Sequence, residues 1–511
     1  MSTYLLGLDL GTSAAKAVLL DSDGKVVNTG KASYPLSRPR KGWAEQDPED
    51  WWGGLVKATH NATENLGNKD EVKALALSGQ MHGSVFLDSS GEVIRPPLLW
   101  NDTRTTAQCR EMEEVLGLDT LKSEVGNPIL EGFTAPKLLW LRENERNNFE
   151  RLATLLLPKD YIVYRMTGRT VTEVSDAAGT VLFNVSEGTW SEEVLGGLDL
   201  DRSILPPVLE STDTVGKLNR QAAEELGLSP DAVVVAGGAD NACSALGNGV
   251  LNEGQYLISI GSSGVVLAPT ETMYADPEDG LHSFNHAAPH RWYLMGVMLS
   301  AGLSLRWYRD KFAGPEREVA SLTGDDPYDL ITAVASRVPI GAERLIFLPY
   351  LNGERTPHAD PNARGVLFGL SDKHGREHLA RAVIEGITFG LRDSMELVSG
   401  FGVPRQEIRL TGGGSKSEFW AQVIADNFDS PVNKTSVSEG PGFGAALLAG
   451  VGAGIYASVE EAVEIAVTAK KVSEPREGAV KKYEKLYGIY KSLYGALEDK
   501  FSSLADLEAI K

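Results

Sequence analysis

The sequence predicts a protein of the α/β class with two large domains. Apolar strand-like runs alternate with helical segments along the chain, which is the pattern of an α/β fold. The chain has 511 residues, too many for a single hydrophobic core. A hairpin of two apolar strands joined by small residues stands near the start, and a similar hairpin recurs about half a chain later. This duplication indicates two related halves.

Composition and charge exclude several classes of protein. The chain is 42% apolar and 23% charged, which is ordinary for a globular protein, and its formal net charge of −21 makes nucleic acid and anionic membranes poor partners. We expect no membrane span, because no run of 18 apolar residues occurs, and no signal peptide, because the start lacks a basic segment before an apolar run. Cys109 and Cys243 form no Cys-x-x-Cys motif, which favours a reduced, cytoplasmic protein.

The first hairpin, residues 6–21, combines an acid, a turn of small residues and a lysine. Asp9 precedes the turn Gly11-Thr12-Ser13, and Lys16 follows it. Small turn residues let backbone N–H groups approach an anion, and an acid with a lysine suits a phosphate chain that carries a divalent metal. An ordinary hairpin with a polar turn would have the same pattern. The first hairpin alone therefore leaves both interpretations open.

The second hairpin, residues 256–267, favours the phosphate interpretation. Its turn is Gly261-Ser262-Ser263-Gly264, and two such turns facing each other across a cleft would hold the phosphates of one nucleotide from both sides. The sequence does not indicate either of the two common phosphate-binding motifs. The P-loop sequence Gly-x-x-x-x-Gly-Lys-Ser/Thr does not occur. Residues 440–445 fit Gly-x-Gly-x-x-Ala, but the preceding strand is polar and weak, so we expect no Rossmann site.

Between the two hairpins, strands and helices alternate. Asp47 is suited to cap a helix that has Pro48 in its first turn, and residues 72–78 have the length and character of a buried strand. The other predicted elements are strands at 25–34, 84–88 and 233–236, a helix opened by Thr103, a helix at 132–144 and a helix entered through 155–161.

Three polar segments next to these strands are candidate functional sites. His82 follows the strand 72–78 and is either a substrate contact or a histidine bonded to backbone inside a turn; the residues alone favour the turn. Residues 100–104 form either a second functional loop or a plain strand-to-helix turn with a cap, and the residues alone leave both interpretations open. Asp240 stands near the start of a helix rich in small residues, which can pack closely. It is either an N-cap or a carboxylate in a cleft at the carboxyl end of a strand.

The second half continues the alternation of strands and helices. Three consecutive glycines, Gly412 to Gly414, follow a strand at 408–411 and precede a helix at 418–426. Glycines at a helix start let the backbone approach a flat or charged ligand, and the ordered flanks argue against a merely flexible loop. The other predicted elements are helices at 303–308 and 377–387, a strand at 343–350 and a charged amphipathic helix from about residue 476.

Together these segments resemble the FGGY family of carbohydrate kinases over nearly the whole chain. Residues 9–16 and 260–265 resemble the two phosphate loops of the family, and residues 410–417 and 439–446 resemble its adenosine-binding segments. The resemblance implies an ATP-dependent sugar kinase with the two-domain, actin-like (ribonuclease H-like) fold. It also implies that nucleotide and sugar bind in the cleft between the domains.

Two further segments carry the signatures of the family. Residues 132–144 fit the first signature and residues 365–385 the second, although their own residues indicate only helical core. The resemblance implies a sugar-binding domain at 1–249, a nucleotide-binding domain at 250–475 and a C-terminal helix, 476–511, that docks on the domains. Family members are often dimers, so a homodimer is expected from the resemblance and from nothing else in the sequence.

Within the family, residues 78–83 and 100–102 resemble the xylulokinases, whereas glycerol kinases have an Arg-Glu pair at the first place. Residues 238–241 resemble the xylulokinase catalytic segment, with Ala239 in place of a third glycine. The resemblance implies D-xylulose as substrate, and a kinase for another pentulose or polyol, such as ribulose or ribitol, is the alternative. The implied sugar contacts are Met81, His82, Asp240, Asn241, Trp100 and Asp102.

The resemblance also implies the roles of the two aspartates. Asp240 would be the general base, ionised before transfer because it lies at a helix N-terminus, and Asp9 would support Mg²⁺ and the phosphates. Closure of the domains would exclude water. The residues implied to bind ATP are Gly11, Thr12, Ser13, Lys16, Gly261, Ser262, Ser263, Gly412, Gly413, Gly414, Ser415 and Asn427.

A member of the same fold that is not a kinase is the more distant alternative. A nucleotide-driven chaperone would need a peptide-binding domain after the ATPase, and the chain leaves no length for one. A sugar-responsive repressor would need a basic helix-turn-helix segment, and the acidic N-terminal part contains none.

Overall fold

The protein is built on two mixed β-sheets, one from each half of the chain. The computed structural model describes residues 3–275, 277–278, 280–437 and 439–507. In the first half, the strands are β1 (Tyr4–Leu10), β2 (Ala14–Asp21), β3 (Val26–Ser33), β4 (Val72–Gly79), β5 (Val85–Leu87), β6 (Thr154–Leu156), β7 (Thr172–Glu173), β8 (Phe183–Asn184), β9 (Thr189–Trp190), β10 (Val208–Leu209), β11 (Thr214–Lys217) and β12 (Val233–Ala239). In the second half they are β13 (Gly254–Ile260), β14 (Gly264–Thr270), β15 (His282–Asn285), β16 (Trp292–Met298), β17 (Ile346–Leu348), β18 (Val366–Phe368), β19 (Arg405–Gly412), β20 (Val432–Thr435) and β21 (Ala469–Ser473).

Helices cover the faces of the sheets and connect their strands. The α-helices are α1 (Pro48–Thr63), α2 (Thr106–Thr120), α3 (Thr134–Asn144), α4 (Arg146–Arg151), α5 (Pro158–Thr167), α6 (Val174–Ala177), α7 (Glu192–Gly197), α8 (Arg220–Leu226), α9 (Asp240–Gly247), α10 (Gly302–Lys311), α11 (Gly314–Thr323), α12 (Pro327–Ser336), α13 (Arg376–Gly400), α14 (Glu418–Phe428), α15 (Gly440–Gly452), α16 (Val459–Ala466) and α17 (Glu477–Ala505). Short 3₁₀ turns lie at Lys69–Glu71, Ala178–Thr180, Arg202–Ile204 and Gly413–Lys416, and a π-helical turn lies at Leu121–Val125.

The two sheets share one topology, which confirms the internal duplication. The first has the order β11-β12-β4-β1-β2-β3, and the second has the order β15-β16-β14-β13-β19-β20-β21. In each sheet an antiparallel meander of three strands is extended by two strands that run parallel to its first strand: β4 and β12 beside β1, and β19 and β20 beside β13. This repeated arrangement of strands is the actin-like architecture that the sequence predicts.

Most predicted elements are confirmed, with shifts at their ends. Both hairpins form, and the Asp47 carboxylate caps α1 by accepting a hydrogen bond of 2.9 Å from the backbone N–H of Glu49. The helix expected to open at Thr103 begins at Thr106 instead. Its start is delayed because the backbone N–H of Thr103 donates to the Gly42 carbonyl, which holds the segment in a turn.

Two helices rich in small residues pack between the halves. α9 and α15 lie against each other, and α15 also covers β1 and β4 of the first sheet. The approach is so close that a Cβ on Gly444 would overlap the Cys243 carbonyl, and one on Gly7 would overlap the Gly442 carbonyl. The expectation of a closely packed helix after Asp240 is confirmed. The glycines at 440–444 therefore serve helix packing, in agreement with the absence of a Rossmann site.

The C-terminal helix α17 docks on the second half through a stripe of tyrosines. Tyr483, Tyr487 and Tyr490 are buried, and their rings pack against Phe389 of α13. Among the described residues, we find no helix with the length and apolar character that crossing a bilayer requires.

Candidate active site

The carboxyl ends of three neighbouring parallel strands bring the predicted polar residues together. β1 and β12 flank β4 on either side and run parallel to it, with their last residues paired. Because such ends meet at one edge of a sheet, Asp9 near the end of β1, His82 after β4 and Asp240 after β12 all face the same cleft. This edge of the first sheet faces the second half of the chain.

A cavity of about 210 Å³, here called the polar cavity, opens at this edge between the two halves. The first half contributes the loop after β4, the segments that lead into α2 and α3, and the start of α9. The second half contributes the turn before β14, strands β14 and β16, and the loop after β17. Its lining consists of Met81, His82, Trp100, Gly132, Phe133, Asp240, Asn241, Ser263, Val265, Met295, Val297 and Arg355. The structure therefore brings together five of the residues that the sequence predicts as sugar contacts: Met81, His82, Trp100, Asp240 and Asn241.

His82 is held in one orientation by its own ring and by its backbone. The Nδ1 atom lies 2.6 Å from the Gly179 carbonyl oxygen, and the ring packs on Phe133 at 4.2 Å between centroids. Since a carbonyl only accepts, Nδ1 carries the proton and Nε2 is left as an acceptor. The backbone of His82 has φ = 68°, a left-handed conformation that β-carbon-bearing residues seldom adopt and that often marks a functional position.

Burial keeps His82 neutral. The pKa of this imidazole falls to about 3, mainly because burial disfavours the cation, and the Gly179 bond only partly offsets that effect. The positive charges of Lys137 and Arg355 lower the pKa further. A neutral imidazole with a free Nε2 can accept a hydrogen bond from a hydroxyl group. The two interpretations of His82 therefore combine, since Nδ1 is bonded to backbone while Nε2 stays available to a ligand.

Lys137, in the first turn of α3, supports the same loop. Its side chain is fully buried, and Nζ donates to the His82 carbonyl at 2.8 Å and to the Gly132 carbonyl at 2.7 Å. Burial lowers the pKa of this amine to about 7, and the nearby Asp102 only partly opposes the shift. Lys137 thus ties together the two segments that carry His82 and Phe133. The sequence of this helix indicates only structural core, so this connection was not predicted from it.

Asp240 is the first residue of α9 and faces the polar cavity. Its Oδ1 accepts hydrogen bonds from the backbone N–H (2.7 Å) and from the side-chain amide (3.0 Å) of Asn241. That amide also lies 3.8 Å from the Met81 sulfur. The N-cap position of α9 belongs to Ala239, so the N-cap interpretation of Asp240 is wrong.

The expectation that Asp240 is ionised by its helix position needs correction. Burial raises the pKa of this carboxyl to about 7, and the negative charge of Asp9 raises it further. The bond from Asn241 opposes the shift without cancelling it. Desolvation and a like charge outweigh a helix dipole, which acts only over the first turn and is worth less than about 1 kcal/mol at most sites.

Asp9 is buried at the end of β1, opposite Lys16 on β2. Burial raises the pKa of Asp9 to about 6, although the positive charge of Lys16 partly opposes the shift. The Lys16 side chain is partly exposed, and its Nζ atom lies 3.6 Å from Oε2 of Glu439, the residue before α15. An acid and a lysine therefore stand side by side next to the turn at Gly11, as the sequence predicts.

Trp100 connects the first hairpin turn to the polar cavity. Its indole N–H donates to the Thr12 hydroxyl at 2.9 Å, while the same side chain lines the cavity. The Gln46 amide donates to the Thr12 carbonyl at 2.7 Å, and the Tyr34 hydroxyl donates to the Gly11 carbonyl. The turn is thus braced from outside its own hairpin.

The second hairpin turn stands between two cavities. Ser263 lines the polar cavity, and its neighbour Ser262 lines a cavity of about 280 Å³ on the other side. The start of α10 fixes the turn, because the backbone N–H groups of Gly302 and Leu303 donate to the Gly261 and Ser262 carbonyls at 2.9 and 3.0 Å.

This second cavity, here called the glycine-lined cavity, is formed by β13, α10, α12 and the glycine segment after β19. Four of the residues predicted to bind nucleotide are in its wall: Gly261, Ser262, Gly413 and Gly414. Its other lining residues are Ile260, Gly302, Leu305, Arg306, Asp326, Tyr328, Asp329, Thr332, Lys416, Ser417 and Trp420. The turn 261–263 therefore separates a polar pocket from a larger pocket with glycine and aromatic walls.

Comparison with known proteins agrees with this arrangement. Residues 4–247 match the N-terminal domain of the FGGY family of carbohydrate kinases, and residues 256–453 match its C-terminal domain. The chain belongs to the FGGY family of carbohydrate kinases. It is therefore a sugar kinase that uses ATP.

Individual sugar kinases resemble the chain over nearly its whole length. The chain is 42% identical over 503 residues to the xylulose kinase of Bacillus subtilis, which covers 98% of each chain. Its fold matches the crystal structure of a ligand-bound xylulose kinase from Lactobacillus acidophilus, with a TM-score of 0.91, 28% identity and coverage of 98% and 100%. A gluconate kinase structure from the same species gives the same TM-score and identity, with coverage of 99% and 100%. The backbone of the kinase fold thus does not by itself distinguish the sugars.

Asp102 does not line the polar cavity of this kinase. It is fully buried, and its Oδ2 accepts hydrogen bonds from the Ala44 backbone and from Arg104, both at 2.7 Å. Its Oδ1 accepts from the Arg104 Nε at 2.9 Å. Both oxygens are therefore used in shaping the loop that carries Trp100. The predicted contact between Asp102 and the sugar is not supported, because this carboxylate acts inside the loop.

Of the twelve residues predicted to bind nucleotide, eight lie outside the lining of the glycine-lined cavity, and three of these come from β19, the glycine turn and α14. Asn427 is buried in α14, and its carbonyl accepts a hydrogen bond from Arg392. Gly412 has φ = 80°, and a Cβ there would collide with the Ile260 backbone, so this glycine permits close packing of β19 on β13. The Ser415 hydroxyl closes the glycine turn by donating to the Gly412 carbonyl at 2.8 Å.

The contributions of α12 and of the loop after β17 to the two cavities were not predicted from the sequence. Tyr328 and Asp329 of α12 line the glycine-lined cavity, and Arg355 lines the polar cavity. The local signals are only a helix start after Asp326 and a polar loop. Neither signal indicates a ligand until the folded chain brings these segments next to the two hairpins.

Proposed function

We propose that this kinase transfers the γ-phosphoryl group of ATP to the 5-hydroxyl of D-xylulose. The observation that carries the proposal is the convergence of Met81, His82, Asp240 and Asn241 on one cavity beside the turn of Ser263. These residues come from the segments that resemble xylulokinases. Relatives at about 40% identity are named xylulose kinase, which further supports the choice of sugar.

In this proposal Asp240 accepts the proton of the attacking hydroxyl, a role worth roughly 10²–10⁴-fold in rate. Support comes from its position on the cavity wall and from a pKa near 7, which lets it alternate between the two protonation states. His82 Nε2 accepts a hydrogen bond from another hydroxyl. The turns 11–13 and 261–263 bind the phosphates through backbone N–H groups, and Lys16 adds positive charge.

Asp9 is the residue we propose to hold Mg²⁺. Among the described residues, no cluster of three or more His, Cys, Asp or Glu side chains is placed to bind a metal. That finding fits Mg²⁺, which is typically held by one or two carboxylates while phosphate oxygens and water complete its shell. The raised pKa values of Asp9 and Asp240 fit as well, since a dication would relieve their repulsion. The metal would neutralise charge on the transferred phosphoryl group.

The decisive experiment is a panel of sugars in a coupled assay of ADP release. We expect D-xylulose to give the highest kcat/KM among pentuloses, pentitols and hexonates. If ribulose, ribitol or gluconate exceeds it by about tenfold, the choice of D-xylulose fails while membership of the kinase family stands. Omission of Mg²⁺ from the same assay tests whether the reaction requires this metal.

We further propose a cytoplasmic homodimer with its domain boundary near residue 249. The free, buried thiols of Cys109 and Cys243 support a reducing compartment. Support for the boundary comes from the two family matches, which end at 247 and begin at 256. Light scattering of the purified chain tests the dimer, and limited proteolysis tests the boundary.

A further inference from the structure

Arg355 is the charged side chain that the second half of the chain presents to the polar cavity. The other lining residues described for that half are Ser263, Val265, Met295 and Val297, which carry no charge. The opposite wall belongs to the first half and contains Asp240 and His82. A cation thus faces this wall across a cavity of about 210 Å³.

The guanidinium of Arg355 has no partner within the described part of the chain. None of its nitrogen atoms makes a hydrogen bond or ion pair there, whereas Arg104 and Lys137 close by are bonded to carboxylates or carbonyls. Burial lowers the pKa of Arg355, and the charges of Glu354 and Glu131 only partly offset the shift. A guanidinium has five N–H donors, and leaving them unpaired in a confined site is unfavourable.

The loop that carries Arg355 is fixed to the second sheet. The Glu354 carboxylate accepts hydrogen bonds from the backbone N–H groups of Leu299 and Arg355, both at 2.8 Å. The next residue, Thr356, exchanges hydrogen bonds of 3.1 Å with the Val297 backbone and donates to the Gly280 carbonyl at 2.8 Å. These bonds hold the backbone on both sides of Arg355, so its side chain starts from a defined point at the cavity wall.

The positive charge of Arg355 affects the histidines at one end of the polar cavity. Its charge lowers the pKa of His82 and of His282, which lie near Phe133. The charge that affects Asp240 is that of Asp9, and the charges that affect Asp9 are those of Lys16 and Glu439. Arg355 therefore lies at the part of the cavity wall near His82 and Phe133.

The two walls complement each other for a ligand rich in hydroxyl and carbonyl oxygens. The first half offers acceptors, namely the Asp240 carboxylate and the His82 Nε2 atom. A carbonyl oxygen needs a donor, and Arg355 supplies a rigid fork of N–H groups that can reach two neighbouring oxygens. A ketose whose terminal hydroxyl lies at Asp240 presents its carbonyl end to Arg355.

We propose that Arg355 donates a forked pair of hydrogen bonds to the oxygen atoms on C1 and C2 of the ketose, at the end remote from the 5-hydroxyl. The inference deepens the proposed function and rests on it. It assigns Arg355 to recognition of the carbonyl end of the sugar, with the acceptors of the first half holding the other end.

The experiment combines a change in the enzyme with a change in the sugar. Arg355→Gln is assayed with D-xylulose and with 1-deoxy-D-xylulose, which lacks the oxygen on C1. We expect the substitution to lower kcat/KM by about 10- to 100-fold for D-xylulose, as befits the loss of a charged hydrogen bond. The loss with the deoxy sugar should be several-fold smaller, because one arm of the fork has nothing to bind.

Controls separate this role from folding and from the phosphoryl group. Arg364→Gln removes an exposed arginine near the same loop and should leave both sugars unaffected. The KM for MgATP and the melting temperature of Arg355→Gln should stay close to the wild type. If that variant does not fold, Arg355→Lys, which keeps the charge and loses the fork, carries the same comparison and should penalise D-xylulose more than the deoxy sugar.

Equal losses for the two sugars, or a loss confined to the KM for MgATP, would overturn the inference. Failure of the proposed function looks different. In that case the wild-type enzyme itself does not phosphorylate D-xylulose, whatever residue 355 is. A wild type that is active on D-xylulose, combined with equal losses in the variant, rejects only the role of Arg355.

Discussion

The charge of Asp9 raises the pKa of Asp240 across the edge of the first sheet. Asp9 lies near the end of β1 and Asp240 follows β12, the two strands on either side of β4, and burial raises the pKa values of Asp9 and Asp240 to about 6 and about 7. Their surroundings differ, however. Asp9 stands beside Lys16 and the phosphate turn, whereas Asp240 stands beside Asn241 in the polar cavity. This difference predicts different roles.

Substitution should separate the two aspartates. Asp9→Asn should weaken the dependence on Mg²⁺ and abolish both sugar phosphorylation and background ATP hydrolysis. Asp240→Asn should abolish sugar phosphorylation but keep the affinity for MgATP close to wild type, because the amide keeps the shape and loses only the base. Calorimetric titration with MgATP and turnover of each variant check this. The roles are reversed if Asp240→Asn loses nucleotide binding while Asp9→Asn stays active.

The raised pKa of Asp240 predicts the pH dependence of activity. The residue must be ionised to accept a proton, so kcat/KM for the sugar should fall as the pH drops below about 7. A bound dication would favour the carboxylate, and raising the Mg²⁺ concentration should shift the decline to lower pH. Initial rates from pH 5 to 9 measure both effects. A flat profile between pH 5 and 8 would contradict the assignment of Asp240 as base.

The same shift predicts how stability depends on pH. A carboxyl whose pKa rises from 3.8 to about 7 on folding stabilises the ligand-free protein below pH 3.8, and this contribution is lost as the pH rises towards 7. Asp240→Asn removes the charge, so it should melt at a higher temperature than the wild type at pH 8 and lose that advantage near pH 4. Differential scanning calorimetry of both proteins at pH 8 and pH 4 measures the melting temperatures that check this prediction. A variant less stable than wild type at pH 8 would show that the buried charge is well compensated.

His82→Asn should show what the Nε2 atom of the ring contributes to sugar binding. The asparagine amide can still donate to the Gly179 carbonyl and tolerates positive φ, but it has nothing in place of Nε2. Loss of one hydrogen bond to an uncharged hydroxyl costs about 0.5–1.5 kcal/mol, so the KM for the sugar should rise roughly 2- to 10-fold. The KM for ATP should not change. An unchanged sugar KM would leave His82 with a structural role only.

Lys137→Met should impair sugar binding at a distance. It removes the donor shared by the His82 and Gly132 carbonyls, and the two released segments line the polar cavity. We expect a rise of about 10- to 100-fold in the KM for the sugar, since small displacements of positioned groups have effects of that size. Lys57→Met, at an exposed position, is the surface control. Equal rises in the KM values for sugar and ATP would indicate general loosening instead.

Local sequence patterns were sufficient for much of the fold. Alternation of apolar residues and small turns placed both hairpins, and their duplication predicted the repeated sheet topology. The cap at Asp47 followed from one side chain and the next two residues. Features of this kind depend on neighbours within a few positions of the chain, so they can be inferred without knowing how distant segments meet.

The site was predicted only in part, for a physical reason. Met81 and Asp240 belong to segments that the sequence singles out, and the parallel order of the strands brings those segments together. The burial of Asp102 and Asn427 was not foreseen, because nothing local reveals whether a polar side chain faces a cavity or the interior of the protein. Asp102 is bonded to Arg104 and Ala44, and neither bond can be foreseen from residue type.

By itself the sequence determined the two hairpins, several of the other strands and helices, the family of the chain and the two segments that carry Asp9 and Asp240. Only the tertiary structure decided that Arg355 faces His82 from the other half of the chain, that Lys137 braces the His82 loop and that Asp240 has a raised pKa. Contacts between residues more than fifty positions apart depend on how sheets and helices pack, and ionisation depends on the burial and charges that this packing creates.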